Sequence, residues 1–534
     1  MSSDHDTSTF IVTSRNPPED DFFQGYFFAG NDFVSEFQGA RKFVENTGQQ
    51  INPGQDGCYV HMRRHDRVLE FNTDFSGYKV LYYYHDGDVW AVSNSFAKIV
   101  DFLRCEKRVV RPNYPHLGSI YGTNSTNNQL FSFETLVQGV LVLPRATTLI
   151  VARDRVHLLR NRSKSNNSYA EGLREHLATW VSRFETLLSD DRLQFSIDLT
   201  GGLDSRTNLA LALVAMRRLG SSGESPRFTC AGSPGQSGDY EVASNLSNHY
   251  GFELNPSNRL RRTYYTPEES YEVFRELSLG VYHPLVVPAI QSSPFRVHAS
   301  GGGGEVHRDF YNPANADGFF ENYAKRNLHS WLGFEAAQDG RVAVDSVGGA
   351  RSEYALRLHY REFRHRYHVG RAPRFSTSFT PLDSMSAEAA QLVAGKSRVD
   401  EGQLNYDILS SLEPELLDLP FDSPSKAPSV EVRARLTSVQ MSSESSPGKI
   451  WVGEQRTPDA SRTAPMAWQR GRVVEEAVSR AVDNPFVSSF WGETIIEQAK
   501  QLAAKLAAGE SVGNAVNGVP ISAVLSAHLV ATNR

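Results

Sequence analysis

The sequence predicts an α/β protein of two units: a β-rich front half, then a half built on a parallel sheet and closed by C-terminal helices. Three observations carry that prediction. Residues 20 to about 160 read as short strands separated by turn signals. From about residue 168 the pattern becomes helix, strand, glycine turn and apolar helix, an alternation that argues for a parallel sheet covered on both faces. After Pro465 two amphipathic helical patterns complete the chain. The resulting divisions are residues 1–165, 166–435 and 436–534.

Each element follows from local pattern. In the front half the strands are GCYVHMRR, RVLEFNTD, YKVLYYYHDGDVWAVSN, LVQGVLVL and TTLIVARDRVHLLR, with His85 to Asp88 as a hairpin turn. YAEGLREHLATWVSRFETLL reads as a helix, and Phe195, Ile197 and Leu199 alternate as a strand that runs into the apolar helix beginning near Leu203. Arg227 to Gly232 is a second strand. Tyr360 to Arg374, rich in arginine and histidine among aromatics, reads as a solvated helix face, with binding of phosphate, an acidic acceptor or RNA as the sharper alternative. Thr437 to Pro465 is polar and rich in Ser and Pro, which predicts a mobile linker. The helices WQRGRVVEEAVSRAVDN and ETIIEQAKQLAAKLAAG then cap the second unit or mediate association, leaving a homodimer open.

Bulk properties exclude several classes. With 534 residues, 40% of them hydrophobic, the chain can build several cores. A net charge of -6 gives no overall field to attract nucleic acid or an anionic membrane, so neither is an expected partner. No segment approaches the roughly 20 apolar residues needed to cross a bilayer, and a cytoplasmic location is expected. Cys58, Cys105 and Cys230 are widely spaced without CxxC, and the 16 histidines form no HExxH, so neither a disulfide framework nor a structural zinc site is predicted.

The chemistry concentrates at Thr200 to Ser205, TGGLDS. At a strand-to-helix joint the first helical N–H groups lack partners and the helix dipole adds partial positive charge, which makes an anion seat. Gly201 and Gly202 let the main chain approach the anion, while Thr200 and Ser205 bring hydroxyls. Asp204 would repel phosphates unless a cation lay between, and a magnesium ion held by Asp204 resolves the conflict. The loop is neither GxxxxGK[ST] nor GxGxxG. A plain tight turn with an N-cap at Asp204 or Ser205 is the alternative.

TGGLDS resembles the SGGxDS pyrophosphate loop of ATP pyrophosphatases, and its surroundings resemble the asparagine synthetase family more narrowly. Phe228 to Gly232, followed by Asp239, Ala243 and Tyr250, resembles that family's second strand and helix. Gly301 to Tyr311, GGGGEVHRDFY, resembles its GxGxDExxxGY, and Phe379 to Ser384, FTPLDS, its PFLD segment. Upstream, Asp74, Gly77, Lys79, Leu81, Tyr82 and Tyr83 match the D-x-x-G-x-K-x-L-Y-Y core of the family's glutaminase domain. The resemblance covers roughly residues 20 to 435. It implies an N-terminal Ntn-hydrolase-like sandwich with αββα layers, then a PP-loop (HUP-like) synthetase domain that uses ATP and Mg2+. It further implies a nucleotide site made of Leu199, Thr200, Gly201, Gly202, Asp204, Ser205, Cys230, Ala231, Gly232, Gly301, Gly302 and Gly303, with Asp204 and Glu305 on the metal. Lys426, in FDSPSK, falls where the family places acceptor-site residues; it either stabilises pyrophosphate or the tetrahedral intermediate, or is a surface lysine.

The departures from the family pattern are specific. Its glutaminase needs an N-terminal cysteine, whereas this chain begins Met-Ser-Ser, so a front half inactive toward glutamine and a core role for Cys58 are expected. Glu305 stands in place of an aspartate, Val306 in place of a glutamate, and Gly302 where an acid or a tyrosine base stands in relatives. The mechanism implied is ATP-dependent amide synthesis through an acyl-adenylate, releasing AMP and pyrophosphate. The acceptor would be a small-molecule, peptide or glycan carboxylate, and the nucleophile a substrate amine or ammonia, free or from an amidase in trans. The competing readings are an intramolecular cyclase, resembling β-lactam synthetases or lasso peptide cyclases, and a nucleotide-binding homologue without turnover.

Overall fold

The structure is a computed structural model that describes residues 9–121, 126, 128–152, 155–161, 165–220, 223–232, 238–308, 310–311, 316–326, 330–348, 354–455, 462–513 and 515–531. It is an α/β chain with mixed antiparallel and parallel sheets. Its front half contains strands β1 (Ile11–Thr13), β2 (Phe22–Ala29), β3 (Asp32–Ser35), β4 (Gly57–His65), β5 (Val68–Thr73), β6 (Tyr82–Asp86), β7 (Val89–Ser93), β8 (Val140–Val142), β9 (Thr147–Ala152) and β10 (Arg155–Arg160). One sheet runs β1-β7-β6-β8, and a second begins β10-β9-β5-β4-β2-β3. Alternation explains why they stack: Val60, Met62, Leu69 and Phe71 of one sheet meet Val12, Leu81, Trp90 and Val92 at the other. Helix α1 (Glu36–Thr47) covers the outer face of the second sheet through Ala40 and Phe43 against Phe23, Phe27 and Tyr59. The expected hairpin turn is present, with Gly87 at φ 61°, a conformation glycine adopts without strain.

In the second half, helix α4 (Tyr169–Leu188) precedes strand β11 (Gln194–Asp198), helix α5 (Leu203–Leu219) and strand β12 (Arg227–Thr229), and strands β13 (Arg296–Ala299) and β14 (Ser378–Phe379) come later. The helices numbered between α1 and α4 are α2 (Phe96–Cys105) and α3 (Tyr114–Ser119). All four strands are parallel in the order β12-β11-β13-β14. One sheet face carries Phe195, Ile197, Phe228, Val297, Ala299 and Phe379 into a core with Trp180 and Phe184 of α4 and the apolar residues of α5. The other face differs from the expectation of two covered faces: it presents Ser196, Asp198, Arg227, Thr229, Arg296 and His298, all half-buried. These strands alternate rather than run continuously apolar, so their second face stays polar and partly open.

Three further expectations change. Tyr360 to Arg374 is not a solvated face. It contains a wide π-type turn at Tyr360–His365, and Arg361, Arg364, His365, Arg366 and Arg374 are buried. The charges are tolerable because each is engaged. Arg361 pairs with Asp383 at 3.0 Å and Glu388 at 2.7 Å, and His365 meets Asp383 at 3.0 Å. Arg366 donates to the carbonyls of Gly77 and Leu143, fastening the front half to the second. Nor is Thr437 to Pro465 simply a linker. Strand β15 (Ile450–Trp451) extends the second sheet by pairing parallel to β3, and Trp451 Nε1 donates to Asp32 at 2.8 Å; residues 456–461 of that segment lie outside the described residues. Finally, the predicted helices appear as Ala467–Val482 and Pro485–Ala507, and they join a core that holds Phe96, Ile99 and Leu103 of α2 in the front half as well as Phe274, Leu279 and Tyr282 of the second. A third helix, Val519–Val530, was not anticipated; it is apolar on nearly all sides and buried in that same core.

Candidate functional site

β11 ends at Asp198, and the chain turns through Thr200–Gly202 into α5, placing the glycine bend at the carboxyl edge of the parallel sheet. Leu199 is buried, and its N–H donates to Thr229 across the strand edge at 2.8 Å. The bend is held by its own hydroxyls. The Thr200 N–H donates to Ser205 Oγ at 3.1 Å, the Gly202 N–H donates to Thr200 Oγ1 at 3.2 Å, and the two hydroxyls lie 3.1 Å apart. Beneath it the fully buried Arg206 donates to the carbonyls of Leu416, Leu419 and Pro420 and stacks on Phe421 at 3.6 Å, so the strap carrying Asp422 and Lys426 is drawn over the bend.

Both glycines lie against neighbouring groups. A Cβ on Gly201 would overlap the Asp422 side chain, and one on Gly202 would stand 3.2 Å from Thr200 Oγ1 and 3.9 Å from Lys426 Nζ. The Gly201 N–H already donates to a carboxylate oxygen, Asp239 Oδ1 at 2.9 Å, so the main chain here binds anionic oxygen. Lys426 Nζ pairs with Asp422 at 2.7 Å and is still 43% exposed, which leaves it able to reach a ligand over the bend.

Asp204, in the first turn of α5, is met from Gly301–Gly304. Its Oδ2 accepts the Gly304 N–H at 3.1 Å, its Oδ1 accepts Asn405 Nδ2 at 2.6 Å, and Glu305 accepts the Gly303 N–H at 3.0 Å. The two carboxylates thus sit on consecutive amides of one turn. Burial first, and the Glu305 charge second, push the Asp204 carboxyl up to about 7, while Arg308, the Gly304 N–H and the Asn405 amide act against that rise. Gly303 is at φ 109° and packs on Thr380; Gly301 lies beside Ser205 and Asp198; Gly302 has room, its nearest side-chain neighbour being Val369 at 3.5 Å. Val306, in the position expected to lack a carboxylate, is fully buried in the core.

The arrangement can take a divalent cation in one way. Among the described residues no three His, Cys, Asp or Glu side chains converge as a metal centre. Asp204 and Glu305 offer two hard carboxylates, the number with which magnesium is held when substrate phosphates complete its shell. The donor chemistry fits.

The structure therefore brings Thr200, Gly201, Gly202, Asp204, Ser205, Gly301, Gly302, Gly303, Glu305 and Lys426 to one sheet edge. Cys230, Ala231 and Gly232 follow β12 on the same edge, but Cys230 is already engaged: its N–H donates to Asn255 Oδ1 at 2.9 Å and its carbonyl accepts Asn255 Nδ2 at 3.0 Å. Ala231 and Gly232 are exposed. Sequence reasoning missed Asn405, Arg308, Asp239, Asp422 and Asp198 as members of the site. Arg308, Asp239 and Asp422 lay within or beside stretches already singled out, whereas Asn405 arrives from a helix some 200 positions away with no motif to announce it. Asp198 closes the edge: burial alone would raise its carboxyl, but the His298 ring at 3.0 Å, with the Gly301 N–H and the Thr229 hydroxyl, holds it below the usual range.

No protein-family model matches the chain, and no curated protein matches it.

Proposed function

We propose that this chain is an ATP-dependent, AMP- and pyrophosphate-forming amide synthetase of asparagine synthetase type, with a PP-loop (HUP-like) unit and an Ntn-hydrolase-like front half that lacks glutaminase activity. The observation that carries the reading is the meeting of the TGGLDS bend, the Asp204–Glu305 pair and Lys426 at one end of a parallel sheet. ATP supplies the activating group for a carboxylate acceptor, and Mg2+ supplies the charge that lets phosphates sit among carboxylates. Asp204 and Glu305 hold that ion. The Gly201 and Gly202 amides and Lys426 receive the departing pyrophosphate, with Asp239 giving up the Gly201 N–H and Thr200 Oγ1 the Gly202 N–H. Leu199 and Cys230 to Gly232 border the base, the side chain of Asn255 taking the Cys230 main chain and leaving Ala231 and Gly232 to face it.

The acceptor is a small-molecule, peptide or glycan carboxylate, attacked after activation by a substrate amine or by ammonia, free or supplied in trans. The front half acts as a scaffold in this account. Its contacts with the second half are filled by Arg361, His365 and Arg366 and their partners, and Cys58 is buried with its thiol pushed up to about 12, chiefly by burial. A cytoplasmic location accords with the absence, among the described residues, of any helix long and apolar enough to cross a membrane. One observation favours a second reading, a nucleotide binder without turnover: the position of Val306 is sealed in the core, so no second carboxylate can be supplied there.

Incubation with ATP, Mg2+ and panels of carboxylates and amines, followed by 31P NMR, tests the proposal. Formation of AMP with pyrophosphate, and exchange of labelled pyrophosphate into ATP, is expected. ADP with phosphate refutes the reaction class. ATP binding without any exchange favours the second reading. The product mass separates amide formation with an external amine from ring closure, which loses only water.

A further inference from the structure

The open face of the parallel sheet carries an unneutralised cluster of arginines away from the TGGLDS edge. Arg227 begins β12 and Arg296 begins β13, on either side of β11, and register places Arg227 beside Ser196 and Arg296 beside Gln194. Residues of equal pleat share a face, so both side chains rise from the side that also bears Ser196 and His298. The loop after α6 (Gly238–Tyr250) folds over them: Arg227 donates to the carbonyl of Pro256, and Arg296 donates to Asn258 Oδ1 at 3.1 Å, an oxygen shared with Gln194 Nε2. Arg262, from the same loop, is exposed; burial first, and the Arg262 charge second, lower the proton affinity of both.

Three guanidiniums have thus been gathered without a counter-ion. None of the three forms an ion pair among the described residues, and Glu253 acts only at a distance on Arg227. The contrast lies in the same chain: Arg183, Arg361 and Arg366, which are more deeply buried, each face a carboxylate. Among the described residues, two buried donors in the cluster, Arg227 Nε and Arg296 Nη1, meet no acceptor. Planar guanidiniums with spare donors and an excess of positive charge match the oxygens of a phosphate or carboxylate. His298 adds a ring on the same face, its Nδ1 3.0 Å from Ser196 Oγ and its Nε2 3.0 Å from Asp198, which spends the Asp198 charge away from the arginines.

We propose that Arg227, Arg262 and Arg296 form a binding site for an oxyanion, a phosphate or carboxylate group of a small-molecule ligand, on the open face of the parallel sheet. The site lies about two strand residues, roughly 7 Å, back from the sheet edge that bears Asp198 and Thr229. It stands independently of the adenylation reading.

Isothermal titration of the full chain with inorganic phosphate and with malonate, at constant ionic strength in chloride, tests it. Variants Arg262→Gln and Arg227→Gln with Arg296→Gln are compared with the parent. Saturable binding of either anion is expected, weakened about tenfold by Arg262→Gln and abolished by the double arginine variant. Binding of phosphate alone assigns the ligand group as phosphate; equal binding of malonate assigns a carboxylate as well. Absence of saturable binding, or binding retained undiminished in the arginine variants, overturns the proposal. Because Arg262 is exposed, its variant folds even if the double variant does not, and undiminished binding in Arg262→Gln also counts against the site. ATP titrated with Mg2+ on the same proteins reports the bend separately, so the two proposals fail independently.

Discussion

Replacing Asp204 by asparagine should stabilise the ligand-free chain, and the gain should depend on pH. The carboxyl titrates at about 7 in the fold against 3.8 when exposed, because burial and the Glu305 charge both oppose ionisation. A group raised in this way contributes stability that is fully present below pH 4 and is lost as pH rises to about 7. At about 1.4 kcal/mol per pH unit the ionised form would cost up to about 4 kcal/mol, and partial exposure of Asp204 reduces this to about 2 kcal/mol. Asparagine keeps the shape and still accepts the Gly304 N–H. Its new amide can donate to Asn405 once that side chain turns, since Asn405 Oδ1 is buried without a partner among the described residues. A chain of this size unfolding as one unit has a melting entropy of about 1.1 kcal/mol per kelvin, so Asp204→Asn should raise the midpoint by about 2 °C at pH 8 and leave it unchanged at pH 4. Differential scanning calorimetry between pH 4 and 8 reads this directly. A variant less stable than the parent at pH 8, or a difference that does not vary with pH, refutes the electrostatic account of the site.

Gly304→Ala forces a Cβ into the Asp204 carboxylate and should cost about 1–3 kcal/mol in denaturant unfolding, whereas Gly302→Ala meets only ordinary contact with Val369 and should change stability by under about 0.5 kcal/mol. Lys426→Met removes an exposed ion pair with Asp422, so the thermal midpoint should move by less than about 1 °C while ATP affinity in Mg2+ falls about tenfold by calorimetry. Asp383→Asn removes the buried carboxylate that Arg361 and His365 share, leaving Arg361 with Glu388 alone, and should cost about 3–5 kcal/mol. Burial would raise the Asp383 carboxyl, but His365, then Arg361 and Arg145, hold it well below the usual range; its stabilisation is present above about pH 4 and lost as pH falls below that, so the parent and the variant should converge in acid unfolding.

Much of this fold was legible because its signals are local. Alternation from Gly57 to Ser93 gave strands and a glycine hairpin, and the strand, double glycine and apolar helix at Phe195 to Leu213 gave the bend at the sheet edge. Where the outcome depended on a distant partner, local pattern misled. Arg361, His365 and Arg366 look solvated until Asp383, Gly77 and Leu143 are brought to them. Ile450 and Trp451 look like linker until β3 offers an open edge, and Val519 to Val530 lacks an amphipathic face because it is buried on nearly every side. The site divides in the same way: the bend announces itself in six residues, but Asn405 and the strap held by Arg206 reach it only through packing.

Equilibrium binding of ATP, measured by calorimetry on the full chain with and without Mg2+, tests whether the bend holds phosphates through an ion gripped by Asp204. The parent should bind ATP more than about tenfold tighter when Mg2+ is present, and that gain should vanish in Asp204→Asn. An affinity indifferent to Mg2+, or a gain that survives the loss of the Asp204 charge, would contradict it.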